Sequence, residues 1–235
     1  HRAWFKILSV FIICFTLWGF WQQGINEPVH DLNIDFSIYY YWSNHIQAGY
    51  PTYLNLNPQK MDYPSFYYPP FWGLVIAPFT WIPYQVARLI WYALNLGWIA
   101  IYLLMIRDMA KKEDYYSQPW YTFGFLILLL NFTPLYESLR HGQANIIILF
   151  LLMSILWFYG KEKMVTAGIL LGLATMIKIV PLVFIAYWFW KKQWKLVFTS
   201  LISILVLSLI SIAITGMNVH MKFLQDNRYY MVFVK

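Results

Sequence analysis

The sequence predicts an all-α integral membrane protein of about seven transmembrane helices, with interfacial helices in its first external loop. Three observations carry that prediction. The chain is 60% hydrophobic and only 11% charged, where a soluble domain carries about 25% charged residues. Apolar runs of membrane length recur, separated by short polar turns. The Lys and Arg residues gather at the ends of those runs. Lipid topology therefore explains the net charge of +7 better than a nucleic-acid partner does. The single cysteine, Cys14, lies inside an apolar run, which excludes an intramolecular disulfide and a cysteine-based metal site.

Residues 4–20 form the first run, an uncleaved anchor without a small-x-small cleavage site. Arg2 and Lys6 lie at its N-terminal end and Trp18 and Trp21 at its far end, which places the N-terminus in the cytoplasm and the following segment outside. Residues 22–83 are then the first extracytoplasmic loop, within a single transmembrane domain over 1–235. The stretch 71–82 is apolar, but Pro78 breaks it and Pro83 closes it. It reads as a helix over 71–81 lying in the interface. Residues 84–106 make the second span. The runs 120–132 and 144–159 follow, joined by the polar turn TPLYESLRHGQAN. Residues 164–190 read as two short helices meeting at IKIVP, because Pro181 breaks the ladder. A final span covers 196–215. This arrangement puts ten basic residues inside, among them Lys111, Lys112, Lys161, Lys163, Lys191, Lys192 and Lys195. Before the last helix only Lys60, Arg140 and Lys178 fall outside, with Arg88 just beneath that face.

The external face holds the candidate chemistry. Asp35 stands directly before FSIYYYWSNHIQAG, a helix ending near Gly49. It serves as an N-cap or as a general base, since a carboxylate near apolar walls can take a proton from a hydroxyl. Asp31 is the alternative acid and Asp62 a weaker one. Tyr39, Tyr40, Tyr41 and Trp42 read as an interfacial aromatic belt on which sugars also stack. Arg140, His141, Gln143 and Asn145 are either a merely polar loop or donors that converge with Arg88 on an anion or a sugar. Lys178, flanked by apolar residues at a helix break, snorkels, pairs or binds a phosphate as a point charge. Gly168 and Gly172 form a small-xxx-small pair for close helix packing. No Walker-type loop, GxSxG or GxGxxG segment is present, which leaves substrates already in the membrane. A transporter or lipid flippase for an anionic lipid-linked substrate is the rival class, because broken helices suit transporters too.

Four segments resemble glycosyltransferase family 87 in order. They are the D-x-x-x-Y…G-x-x-x-Y opening in IDFSIYYYWSNHIQAGYPTYLN, the Y-P-P-F at 68–71, RHGQAN at 140–145 and AGILLGLATMIKIVP at 167–181. The resemblance implies a polytopic bundle of the GT-C superfamily in the cell membrane, with its active site extracytoplasmic. It implies an inverting hexosyltransferase, with mannose as the sugar, that uses a polyprenyl-phosphate donor and a glycolipid or glycan acceptor, with no metal or cofactor. Asp35 would be the base. Lys178, Arg140 and Arg88 would face the donor phosphate, while His141, Gln143, Asn145, Tyr39 and Tyr68 would contact sugar or acceptor. The resemblance also implies that the chain is an N-terminal fragment of a longer protein.

Overall fold

A computed structural model of the chain describes residues 35–47, 68–110 and 133–233, the last eight by their backbone alone, together with the helical positions Val10, Phe11, Cys14 and Trp18. Most of the first apolar run and the whole of 120–132 lie outside the described residues, as do Asp31, Asp62, Lys60, Lys111 and Lys112.

Among the described residues the chain is helical throughout. The α-helices are α1 (Asp35–Gln47), α2 (Pro70–Ile76), α3 (Tyr84–Ala110), α4 (Thr133–Arg140), α5 (Asn145–Tyr159), α6 (Met164–Ile177), α7 (Leu182–Trp190), α8 (Trp194–Thr215) and α9 (Met217–Phe233). Within them, Tyr84–Met109 and Trp194–Thr215 are long and apolar enough to cross a membrane. At 1.5 Å per residue they reach about 39 and 33 Å, against a hydrocarbon core of about 30 Å. The apolar helices α5 and α6 have 15 and 14 residues, so the described helices do not by themselves supply seven spans.

Three expectations need correction. The segment 71–81 is two pieces, α2 and a 3₁₀ turn over Ala77–Trp81. Pro78 has no N–H to give the carbonyl four residues back, so the α-ladder stops there. Residues 133–140 are the helix α4 rather than a polar turn. Net polarity concealed Leu135 and Leu139, whose i, i+4 spacing buries them with Ile146 against Trp98 and Ile99. Helix α9 continues the chain beyond the final span, after Gly216 turns the backbone at φ +83°.

The chain divides into two compact units, residues 1–36 with 88–150 and residues 37–87 with 151–235. In the first, α4 and the start of α5 pack on α3 around the leucine pair. In the second, α6 and α8 form the principal helix pair. Built onto Gly168, a Cβ would lie 2.7 Å from the Leu196 carbonyl oxygen; on Gly172 it would lie 2.5 Å from the Ser203 Cβ. The small-xxx-small pair therefore lets two backbones touch, and the Ser203 hydroxyl donates to the Ile169 carbonyl across the seam at 3.2 Å. Helix α2 packs against α6, α8 and α9, with Trp72 and Ile76 fully buried. It is covered by protein, where the interfacial reading left it at the membrane surface.

Candidate functional site

The first unit carries Asp35, Arg88, Arg140, His141, Gln143 and Asn145. Helix α1 begins at Asp35, so the acid stands at the positive end of the helix dipole. Asp35 is half-buried, and Phe36 beside it is 1% exposed. The Phe36 amide donates to the His141 carbonyl at 3.3 Å, and its ring stacks on Trp91 at 5.2 Å. The residue beside the acid is thus tied to the RHGQAN turn.

That turn ends α4 by a Schellman motif. The Gln143 amide reaches back to the Ser138 carbonyl at 2.8 Å and the Gly142 amide to Leu139 at 3.2 Å. Gly142 sits at φ +66°. A Cβ there would lie 2.9 Å from the Phe36 Cβ and 3.4 Å from the Trp91 ring, so glycine is required by conformation and by space together. A helix end leaves carbonyls without an intrahelical partner. Here the Arg140 carbonyl accepts from the Tyr92 hydroxyl at 2.8 Å, His141 from Phe36, and the Gly142 carbonyl from the Trp91 indole N–H at 2.9 Å. Three consecutive carbonyls are held by three aromatic residues.

Side chains complete the turn. His141 Nε2 lies 3.1 Å from Glu137 Oε2, one helical turn back. The Asn145 amide donates to Gln143 Oε1 at 2.6 Å and to the buried Ser138 hydroxyl at 3.3 Å. Gln143 and Asn145 therefore brace each other across the turn. Arg88 is 3% exposed, its guanidinium carbon 5.8 Å from the Tyr92 ring centre. Through its ring and its hydroxyl, Tyr92 joins Arg88 to the end of α4. Arg140 is half-buried.

The second unit carries Tyr39, Tyr68 and Lys178, and these come together. The Tyr39 hydroxyl donates to the Tyr68 hydroxyl at 2.8 Å. Tyr39 meets Trp72 edge-on at 5.5 Å, and Tyr68 stacks on it at 6.1 Å. The Lys178 ammonium stands 5.7 Å from the Tyr68 ring centre, within range of a cation–π attraction. Lys178 leaves α6 with extended backbone (φ −146°, ψ 135°), its amide still bonded to Ala174. The break at Lys178–Pro181 thereby turns a lysine out of a helix and onto a phenol.

The tyrosine run is not an interfacial belt. Tyr39, Tyr40 and Trp42 are 2%, 8% and 2% exposed, and Tyr41 alone of the four is exposed. The reason is that α1 lies flush on the segment 73–82. Ser43 donates to the Gly73 carbonyl at 2.7 Å, Gln47 to the Thr80 hydroxyl at 2.9 Å, and Tyr40 to the Ile82 carbonyl at 2.8 Å. Burial, and then the neighbouring Tyr41, push the Tyr40 phenol above its usual pKa, so it remains a neutral donor.

Sequence reasoning missed Trp72, Trp91, Tyr92 and Gly142. Trp91 and Tyr92 follow Arg88 at the i+3 and i+4 positions of α3, a spacing that signals a shared face. For Trp72 only the adjacent Y-P-P-F element offered a hint.

Comparison with known proteins covers three of the four family-like segments, those at 68–71, 140–145 and 167–181, and leaves the Asp35 segment outside the matched residues. The glycosyltransferase family 87 model matches residues 66–230. A polyprenol-phosphate-mannose-dependent alpha-(1-2)-phosphatidylinositol pentamannoside mannosyltransferase of Mycolicibacterium smegmatis is 29% identical over 140 residues, 59% of this chain and 33% of the relative. The protein of the same description from Mycobacterium tuberculosis is 25% identical over 134 residues, 55% of this chain and 29% of the relative. The matched part thus spans about a third of those relatives' length. No solved structure matches the chain. The chain belongs to glycosyltransferase family 87.

Proposed function

We propose that this family 87 member is a membrane hexosyltransferase that moves mannose from a polyprenyl-phosphate donor to an extracytoplasmic glycolipid or glycan, inverting the anomeric centre. The donor and the acceptor class are those in the descriptions of the two relatives. The observation that carries the reading is the attachment of Phe36, the residue beside the acid, to the RHGQAN turn through its amide and to Trp91 through its ring. A general base must be held still to act on one hydroxyl, and a half-buried carboxylate on an anchored first turn meets that need.

In this mechanism Asp35 takes the proton of an acceptor hydroxyl. The freed oxygen bonds to the anomeric carbon as the bond from that carbon to the phosphate oxygen breaks, and polyprenyl phosphate departs. The charge on the leaving phosphate calls for cations. Arg140, Arg88 and Lys178 are the candidate cations for it. Tyr39, His141, Gln143 and Asn145 complete the assignment as groups that contact the sugar or position those that do. The chain is taken as multi-pass in the cell membrane, with its N-terminus cytoplasmic and Asp35 on the opposite side.

The test incubates the intact purified protein with radiolabelled polyprenyl-phosphate mannose and membrane acceptor. Asp35→Asn is expected to cut incorporation by about 10²–10⁴-fold, while Asp31→Asn keeps the rate. The reverse pattern moves the base to Asp31. Uptake into vesicles without incorporation supports a transporter instead.

A further inference from the structure

The end of the second unit that carries the lysine turns holds a feature the transferase reading does not use. Helices α5 and α7 line an open-sided cavity of about 290 Å³ bounded by Leu152, Ile155, Leu156, Phe184, Tyr187 and Trp188. Its lining is wholly apolar or aromatic. For scale, a dry cavity of about 150 Å³ takes up a benzene molecule, so this one has room for a short stretch of hydrocarbon chain. Tyr159 packs on Trp188 at 4.4 Å between ring centres, one turn beyond the cavity toward the lysines.

Charge lies at that same end. The turns after α5 and α7 expose Lys161, Lys163, Lys191 and Lys192, with Lys195 beside them and Glu162 as the one acid among them. Lys191 links charge to cavity. Its ammonium stands 5.9 Å from the ring of Tyr187, which lines the cavity, and 5.6 Å from that of Trp190. Trp190 and Trp194 are 75% and 46% exposed, as aromatic residues at a bilayer's headgroup level are. From Trp188 to Lys191 is about 4.5 Å along a helix axis, so the charge lies within one helical turn of the cavity.

We infer that the α5–α7 cavity is a binding site for an anionic phospholipid of the surrounding leaflet, with an acyl segment in the cavity and the phosphate on Lys191 and Lys192. Charge complementarity selects the occupant. A zwitterionic lipid fills the cavity equally well but gains little from two ammonium groups, whereas each lysine near an anionic surface adds roughly a fivefold preference.

Native mass spectrometry of the intact purified protein, titrated with phosphatidylglycerol and with phosphatidylcholine of matched chains, tests this. Phosphatidylglycerol should fill one saturable site about tenfold or more tightly than phosphatidylcholine. Lys191→Gln and Lys192→Gln should each weaken it about fivefold. Leu156→Trp, which fills the cavity without touching charge, should abolish the saturable site. Should that variant misfold, Tyr187→Ala removes the ring under Lys191 and is expected to weaken binding as well. Equal retention of the two lipids overturns the inference. So does phosphatidylglycerol binding that ignores Leu156→Trp and Tyr187→Ala, or a site that polyprenyl phosphate takes in preference to phosphatidylglycerol.

Discussion

The turn at 138–143 and the two lysine turns at 158–163 and 188–193 have the same backbone. In each, an amide bonds five residues back and the residue before it bonds three back, as Gln143 does to Ser138, Lys163 to Phe158 and Gln193 to Trp188. In each, the residue ahead of that amide is left-handed: Gly142 at φ +66°, Glu162 at +60° and Lys192 at +58°. What differs is the surroundings. Glu162 and Lys192 are exposed, and Gly142 is buried. Helix-ending geometry is therefore local, and it accepts any residue able to bear some strain. Glycine becomes obligatory where Phe36 and Trp91 press on the turn. A lysine turn reverses the chain. The RHGQAN turn also holds three carbonyls and the side chains of His141, Gln143 and Asn145 in set positions, which is what a candidate site needs.

Substitutions separate the two demands, strain and space, beginning with the largest effect. Gly142→Ala meets both and should destabilise by about 3 kcal/mol, with overpacking worth about 2 and left-handed strain about 1. Thermal unfolding in detergent reads it, and loss of transferase activity should accompany it. Gly168→Ala meets the spatial demand alone, since its backbone is ordinary helix and the Leu196 carbonyl is the obstacle. It should cost about 2 kcal/mol. Tyr92→Phe leaves turn and space intact but removes the donor to the Arg140 carbonyl, at about 1 kcal/mol. Lys192→Gly relieves strain alone. It should gain about 0.5 kcal/mol, because about 1 kcal/mol of relief is partly offset by the freer unfolded chain. If Gly142→Ala costs no more than Gly168→Ala, conformation adds nothing at the RHGQAN turn and the contrast between the turns collapses.

Much of this was legible in advance. The start of α1 at Asp35, the long helix from Tyr84, the break at Lys178–Pro181 and the close packing at Gly168 and Gly172 follow from local signals. Those signals are a polar residue ahead of an apolar run, a proline, and glycines four apart. Helix α4 was missed because two leucines in eight residues are outweighed by polar neighbours until Trp98 and Ile99 cover them. The tyrosines of α1 were misplaced because an aromatic run has the same composition in a membrane interface as in a protein core. Only the Gly73 backbone under Ser43 and Trp42 distinguishes the two.

By itself, the sequence determined the membrane class, the family, and where α1 and α3 begin and α6 breaks. These depend on composition and on neighbours within a turn or two, and both are written along the chain. The tertiary structure alone decided that Tyr39, Tyr68 and Lys178 meet, that Arg88 is buried, and that Phe36, Trp91 and Tyr92 hold the turn bearing the candidate site. Those contacts join residues 29 to 51 positions apart in three of their hydrogen bonds. No periodicity encodes a pairing at that distance, because packing rather than local propensity selects which side chains face one another.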